Sequence, residues 1–190
     1  MIEDKDFITS RDVPGPTKEN IRAILLYKST VTNEDSVVDI GCGSGGITIE
    51  FAQRAKNVIS IDKNPEAIKI TGKNLEKFNL KDKVDLIEND AVSALKKLDK
   101  IDIAIVGGSS NDLEEILEEI DKKLNPKGRI LITSILLDTK IEAINALKKL
   151  GYKPKIVEVN ISNGRILDRG VMMFSENPIG IISSKKDNND

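Results

Sequence analysis

Val37-Val38-Asp39-Ile40-Gly41-Cys42-Gly43-Ser44-Gly45-Gly46 decides the fold of this chain, because a short apolar run breaks there into alternating glycines and then into the amphipathic stretch Ile47 to Ala55. That order predicts a strand, a tight turn and a helix N-terminus, the usual seat of a nucleotide-like cofactor. Gly41, Gly43 and Gly45 allow positive φ and let a ligand lie against the main chain without meeting a Cβ. Two cofactor classes fit such a turn, since Gly41-x-Gly43-x-x-Gly46 also satisfies a dinucleotide fingerprint. Asp39 separates them by charge. A carboxylate two residues before the first glycine repels a pyrophosphate, whereas S-adenosylmethionine (AdoMet) brings an ammonium and a sulfonium to that place. A purely structural role stays open, with Asp39 capping the turn and the glycines only permitting tight packing of strand on helix.

Outward from the turn, the chain alternates strands and helices. Val58-Ile59-Ser60-Ile61-Asp62 reads as a second strand ending in an acid, 23 positions after Asp39 (62 − 39), the length of one βαβ step. Asp62 is therefore placed to accept hydrogen bonds from ribose hydroxyls, or else to cap the helix that begins near Asn64-Pro65-Glu66, a task Asn64 can perform instead. The third strand, Val84 to Glu88, ends in Asn89-Asp90-Ala91 beside the same crevice. Asp90 either reads an adenine edge or caps the next helix, and the small Ala91 lets a ring approach. The fourth strand, Ile101 to Val106, runs into Gly107-Gly108-Ser109-Ser110. Amino-group methyltransferases often carry Asn/Asp-Pro-Pro-Tyr there, so methylation of a base amine is disfavoured. Val13-Pro14-Gly15-Pro16-Thr17 is a stiff turn before a helical pattern through Ile21, Ile24, Leu25 and Tyr27. It is either a helix start alone or one wall of the pocket, with the Thr17 hydroxyl as a polar contact.

Leu113 to Leu124 reads as an acidic amphipathic helix, Asn125-Pro126-Lys127-Gly128 as a turn, Arg129 to Thr133 as a strand, and Asp138 to Leu150 as a helix stopped by Gly151. Tyr152 to Ile161 and Val171 to Ser184 are strand-like with no helix between them, so the sheet ends in an antiparallel hairpin. The predicted fold is α/β, a Rossmann-like, mostly parallel sheet in one domain over 1–190, with an N-terminal segment over 1–13 and a mobile tail over 185–190.

The chain has 190 residues, 32% charged and 39% hydrophobic, with a formal net charge of −2 and no histidine. This suits one ordered α/β domain and gives no global field for tracking a polyanion. The lack of imidazole removes histidine-based metal sites, Ser-His-Asp triads and any histidine base, and no metal is expected. A single cysteine, Cys42, forms no internal disulfide, and the opening residues carry no export signal or spanning run, so a cytoplasmic protein off the membrane is expected.

Asp-x-Gly-x-Gly-x-Gly resembles the first motif of class I methyltransferases. Together with Pro14-Gly15-Pro16-Thr17, Ile61-Asp62-Lys63-Asn64-Pro65-Glu66-Ala67, Val106-Gly107-Gly108-Ser109 and Gly164-Arg165-Ile166-Leu167-Asp168-Arg169-Gly170, it makes the chain resemble the decarboxylating cobalt-precorrin-6B carbon-15 methyltransferases, over residues 7 to 184. The resemblance implies AdoMet contacts at Thr17, at Gly41, Cys42, Gly43, Ser44 and Gly45, at Asp62 and at Ala91, beside Asp39 and Asp90 read above. It also implies a homotetramer and a cobalt-corrinoid substrate rich in carboxylates. Arg165 and Arg169 offer planar forks for such carboxylates, or form a surface ion-pair cluster around Asp168. No catalytic acid is assigned, since a conjugated macrocycle can take up the electrons released by decarboxylation. A tRNA methyltransferase of the same fold and a non-catalytic AdoMet-binding module are the alternatives.

Overall fold

In the computed structural model, residues 1–107 and 112–187 are described. The parallel strands β1 (Ser36–Ile40), β2 (Asn57–Asp62), β3 (Val84–Glu88), β4 (Ile101–Gly107) and β5 (Leu124–Ser134) form most of one sheet. β6 (Lys155–Val159) and β9 (Ile179–Lys185) complete it in the order β3-β2-β1-β4-β5-β9-β6. β9 is antiparallel to both of its neighbours. β7 (Ser162–Leu167) and β8 (Gly170–Ser175) form a separate two-stranded ribbon between β6 and β9. The helices are α1 (Glu19–Ser29), α2 (Gly46–Ala52), α3 (Pro65–Lys77), α4 (Ala91–Lys97), α5 (Leu113–Lys123) and α6 (Leu137–Lys149).

The two faces of the sheet follow from the period of two along each strand. Val38 and Ile40 of β1, with Ala104 and Val106 of β4, pack under α4, α5 and α6. Val37, Ile103 and Ile105 face the opposite way, against Ile21 and Leu25 of α1, Ile49 and Phe51 of α2 and Leu75 of α3. Chain order reverses between β1 and β4, and the crevice outside that reversal is where a doubly wound sheet opens. Asn64 caps α3 by accepting the Glu66 N–H at 3.0 Å, with Pro65 in the first turn.

Four details depart from the sequence expectation. Tyr27 points into solvent, because α1 buries a narrower stripe centred on Ile21, Arg22, Leu25 and Ser29. The Asn125–Gly128 turn is a register shift inside β5, where Ile101 pairs Leu124 but Ile103 pairs Arg129, with Lys127 at φ 64. The terminal antiparallel pair forms as expected, from β6 and β9, but the stretch between them adds a second antiparallel pair, the β7–β8 ribbon. Lys185 closes β9 and the Lys186 N–H donates to the Gly128 carbonyl at 2.9 Å, so the chain is anchored past the point where the tail was expected to begin. Residues 188–190 of that tail lie outside the described residues.

The N-terminal segment is strapped to α1, α2 and α3. Arg22 is fully buried, donates to Asp4 Oδ1 at 2.6 Å and to the carbonyls of Thr17 and Ile2, and lies 4.9 Å from the Phe7 ring centroid. Its Nε is 3.6 Å from Oε1 of Glu50, which is also fully buried and accepts the Ile2 N–H at 2.8 Å. Ile8 is held by Asn74 through both backbone groups, at 2.7 and 2.9 Å.

Candidate functional site

The glycine turn is built by its neighbours. Gly41 N–H and Cys42 N–H both donate to the Ile61 carbonyl, at 2.8 and 3.3 Å, which hooks the turn onto β2. Gly43 N–H donates to Asp62 Oδ2 at 3.0 Å. On the far side, Thr71 donates its hydroxyl to the Gly43 carbonyl at 2.9 Å, and Asn74 donates its amide to the Ser44 carbonyl at 2.9 Å. With the carbonyls tied back to α3, the other side of the turn is left to the crevice. Thr71 and Asn74 were not singled out from sequence. The available signal was two polar residues on the buried stripe of α3, between Ala67 and Leu75.

The glycines divide by what a side chain would meet. At Gly41, φ 77, an added Cβ would lie 2.1 Å from the Gly107 carbonyl oxygen, so this glycine allows β1 and β4 to close. At Gly45, φ 85, it would lie 3.0 Å from the Thr71 side chain, and Gly45 serves as the N-cap of α2. At Gly43, φ 55, the nearest atom is the Pro14 carbonyl oxygen at 3.9 Å, and the Cβ would point into open space.

That space is a cavity of about 440 Å³. Of the residues expected to touch a cofactor, Thr17, Gly41, Cys42, Gly43, Ser44, Asp62, Asp90 and Ala91 line it. Asp39 and Gly45 are not on its wall. Gly45 is turned toward Thr71. Asp39 lies on the same side of β1 as Val37, beneath α2, and is 1% exposed. Its Oδ2 accepts the Thr48 hydroxyl at 2.6 Å, Thr48 is joined to Ser60 at 2.8 Å, and Oδ1 is buried without a partner. The direct ion pair expected between Asp39 and a cationic ligand is therefore replaced by an acid buried behind the turn.

Burial raises the Asp39 carboxyl to about 6, although the Thr48 hydrogen bond favours its charged form. The unfolded chain ionises Asp39 near 3.8 while the folded protein keeps it protonated until about 6, so stability falls across that interval as pH rises. Over this span Asp39→Asn should gain stability relative to the native protein, by roughly 3 kcal/mol at 1.36 kcal/mol per unit. Paired urea titrations at pH 4 and pH 7 measure the difference, and equal differences at both would contradict it.

Asp62 is engaged through both oxygens, Oδ2 by Gly43 N–H and Oδ1 by Asn64 N–H at 2.9 Å, and each oxygen keeps a lone pair for a ligand hydroxyl. Asp90 is the N-cap of α4, with Oδ1 accepting the Ser93 N–H at 2.8 Å; that bond holds its carboxyl below its ordinary value. The Ser44 hydroxyl is buried on the cavity wall with no partner among the described residues. Burial and nearby acids push the Cys42 thiol up, which leaves it a neutral wall residue. Lys63, Asp112, Ile116 and Thr133 also line the cavity and were not foreseen as site residues.

Arg165 and Arg169 are not brought to this wall. Arg165 lies within the ribbon, opposite Met172, with its guanidinium carbon 4.9 Å from the Phe174 ring centroid. Arg169 is in the tight turn that joins the two ribbon strands. Gly108, Ser109 and Ser110, used above to disfavour base-amine chemistry, lie outside the described residues. Among the described residues there is no cluster of three or more potential metal ligands.

Residues 14–183 match the model of a precorrin methyltransferase domain. A protein of Methanobrevibacter smithii, named as a probable cobalt-precorrin-6B C(15)-methyltransferase (decarboxylating), is 70% identical over 98% of this chain and its own full length. A precorrin 8W decarboxylase of Methanobacterium thermoautotrophicum superposes with a TM-score of 0.95 at 49% identity, over 97% of this chain and 99% of that one. A precorrin-6y C5,15-methyltransferase of Geobacter metallireducens gives 0.91 at 31% identity, over 98% of each chain.

Proposed function

The chain belongs to the precorrin methyltransferase family, and we propose that it methylates carbon 15 of cobalt-precorrin-6B at the expense of AdoMet, with loss of carbon dioxide from an acetate arm, to give cobalt-precorrin-7. The observation that carries the choice of cofactor is the charge of the cavity wall. Among the described residues, Asp62, Asp90 and Asp112 face it against one ammonium, Lys63, and Asp39 lies buried behind the turn. Three carboxylates favour a cationic sulfonium amino acid and disfavour a pyrophosphate.

The donor set fits the whole cofactor. Asp62 would accept from the ribose hydroxyls, Ala91 would give room to the adenine, and the unpartnered Ser44 hydroxyl would meet the amino-acid end. Gly43 supplies the space against the backbone, and Thr17 closes the wall from the Pro14–Thr17 turn. When bound, AdoMet supplies a methyl group that is already electrophilic. The chain's own task is then to align the acceptor carbon and to exclude water. Titration calorimetry tests the cofactor: AdoMet and S-adenosylhomocysteine should each bind one per chain, and binding of NADH in their place would reverse the assignment. With the corrinoid present, S-adenosylhomocysteine and carbon dioxide should appear in equal amounts.

We also propose a homotetramer in a reducing, cytoplasmic setting, acting on no nucleic acid and no membrane. The ribbon supports self-assembly. Ile166, Val171 and Met173 share one of its faces and are 85, 65 and 60% exposed, and an isolated two-stranded ribbon is marginal in water. Val171→Asp should shift the protein toward smaller species in light scattering without loss of the far-UV signal. An unchanged molar mass would place the interface elsewhere.

A further inference from the structure

A second cavity, of about 430 Å³, opens beside the first and shares Pro16, Thr17 and Thr133 with it. Its floor is Ile21 and Ile179, and its far side is the segment between β5 and α6. Two features of its rim run against local preference. Ile135 and Leu136 line the cavity and, with Leu137 next in the chain, are 57, 54 and 67% exposed, where the start of a helix favours Ser, Thr, Asp or Asn. Leu136 is the N-cap of α6 with no side-chain capping bond. Ile141, one turn further along α6 from Leu137, is also exposed. The segment is held in place by its own hydrogen bond, with Leu136 N–H donating to Ser134 Oγ at 3.0 Å.

Across the cavity, Lys18 sits at the N-cap of α1, where the helix dipole disfavours a cation. Its ammonium is 3.9 Å from Asp4 Oδ2, and that carboxylate is already bonded to Arg22 at 2.6 Å. An apolar shelf facing an ammonium suits a flat conjugated ring that carries carboxylate arms. Pro16, Thr17 and Thr133 line both this shelf and the cavity of the glycine turn.

Resting on the function proposed above, we infer that this second cavity seats the tetrapyrrole macrocycle, with Leu136 and its apolar neighbours under the ring and Lys18 on a carboxylate arm. Continuity with the first cavity brings the ring edge to the methyl donor, and charge complementarity fixes its orientation.

The test compares steady-state kinetics of Leu136→Asp and Lys18→Glu with the unaltered enzyme, using cobalt-precorrin-6B and AdoMet. Each variant should raise KM for the corrinoid about tenfold, the loss of one charge-assisted contact or its apolar equivalent. AdoMet affinity by calorimetry and the thermal midpoint should hold, because both side chains are half exposed or more. Unchanged KM in both variants with an active parent enzyme would overturn this seat alone and leave the function standing. A fall in oligomer size for Leu136→Asp, with KM unchanged, would assign the lip to contact between copies of the chain. An unaltered enzyme that binds AdoMet but never converts the corrinoid would remove the function, and the seat with it.

Discussion

Gly43→Ala should abolish measurable AdoMet binding in a protein that remains folded. Among the described residues the nearest atom to the added Cβ is the Pro14 carbonyl oxygen at 3.9 Å, so the methyl enters the space into which the cavity opens. At φ 55 an alanine carries a backbone cost of about 1 to 2 kcal/mol, which a domain of this size tolerates. The loss of affinity should reach a hundredfold or more, roughly 2.7 kcal/mol, since the methyl occupies space a ligand lying against the main chain would need. Gly41→Ala is the contrast. Its Cβ would overlap the Gly107 carbonyl at 2.1 Å, so β1 and β4 would have to separate and soluble expression should fall. Calorimetry on the first variant and thermal melts on both separate a ligand-space glycine from a packing glycine. Equal affinity for AdoMet in Gly43→Ala and the native protein would place the cofactor elsewhere.

Arg22→Met should destabilise the protein by roughly 3 kcal/mol, because it takes one of two counter-charges from a buried acid and leaves buried carbonyls unpaired. Glu50 is fully buried and Arg22 is one of its two cationic partners; the other, Arg54, sits at 3.0 Å and is partly solvent-exposed. The same change frees the carbonyls of Ile2 and Thr17 and uncovers Phe7. Since Thr17 is a wall residue, the strap and the site should loosen together. Denaturant titration gives the stability, and hydrogen exchange of residues 2–17 gives the location. Arg22→Met combined with Glu50→Gln should recover part of the loss, and a double variant no more stable than the single one would refute the buried pair as its cause.

Most of the parallel sheet was legible because its signals are local. Apolar runs of four to six residues, each followed by a glycine or an acid and then by helical spacing, mark β1 to β4 and their helices without tertiary information. The wall residues Gly41 to Ser44, Asp62 and Ala91 were legible for the same reason, since they stand at strand ends on one side of a crevice fixed by topology. A motif does not report the parity of Asp39 along β1. Asp39 alternates with Val38 and Ile40 and so points under α2, with Val37, and not out of the strand tip. Gly45 is hard to place from sequence because backbone freedom and ligand space have the same signature. Only the 3.0 Å approach of Thr71 distinguishes them.

The less legible parts depend on long-range placement. Nothing local tells that β9 inserts between β5 and β6, or that the segment carrying Arg165 and Arg169 leaves the sheet as a ribbon. The role of Asn74 joins Ile8, 66 positions away, to Ser44, 30 positions away, and no periodicity reports such a bridge.

The central claim is that this cavity carries out methyl transfer coupled to decarboxylation on a corrinoid. Mass spectrometry of cobalt-precorrin-6B after incubation with AdoMet and the purified protein tests it most directly. The predicted product has gained one methyl group and lost one carbon dioxide, and the methyl label comes from AdoMet. An unchanged substrate mass, with a folded protein that binds AdoMet, would contradict the claim.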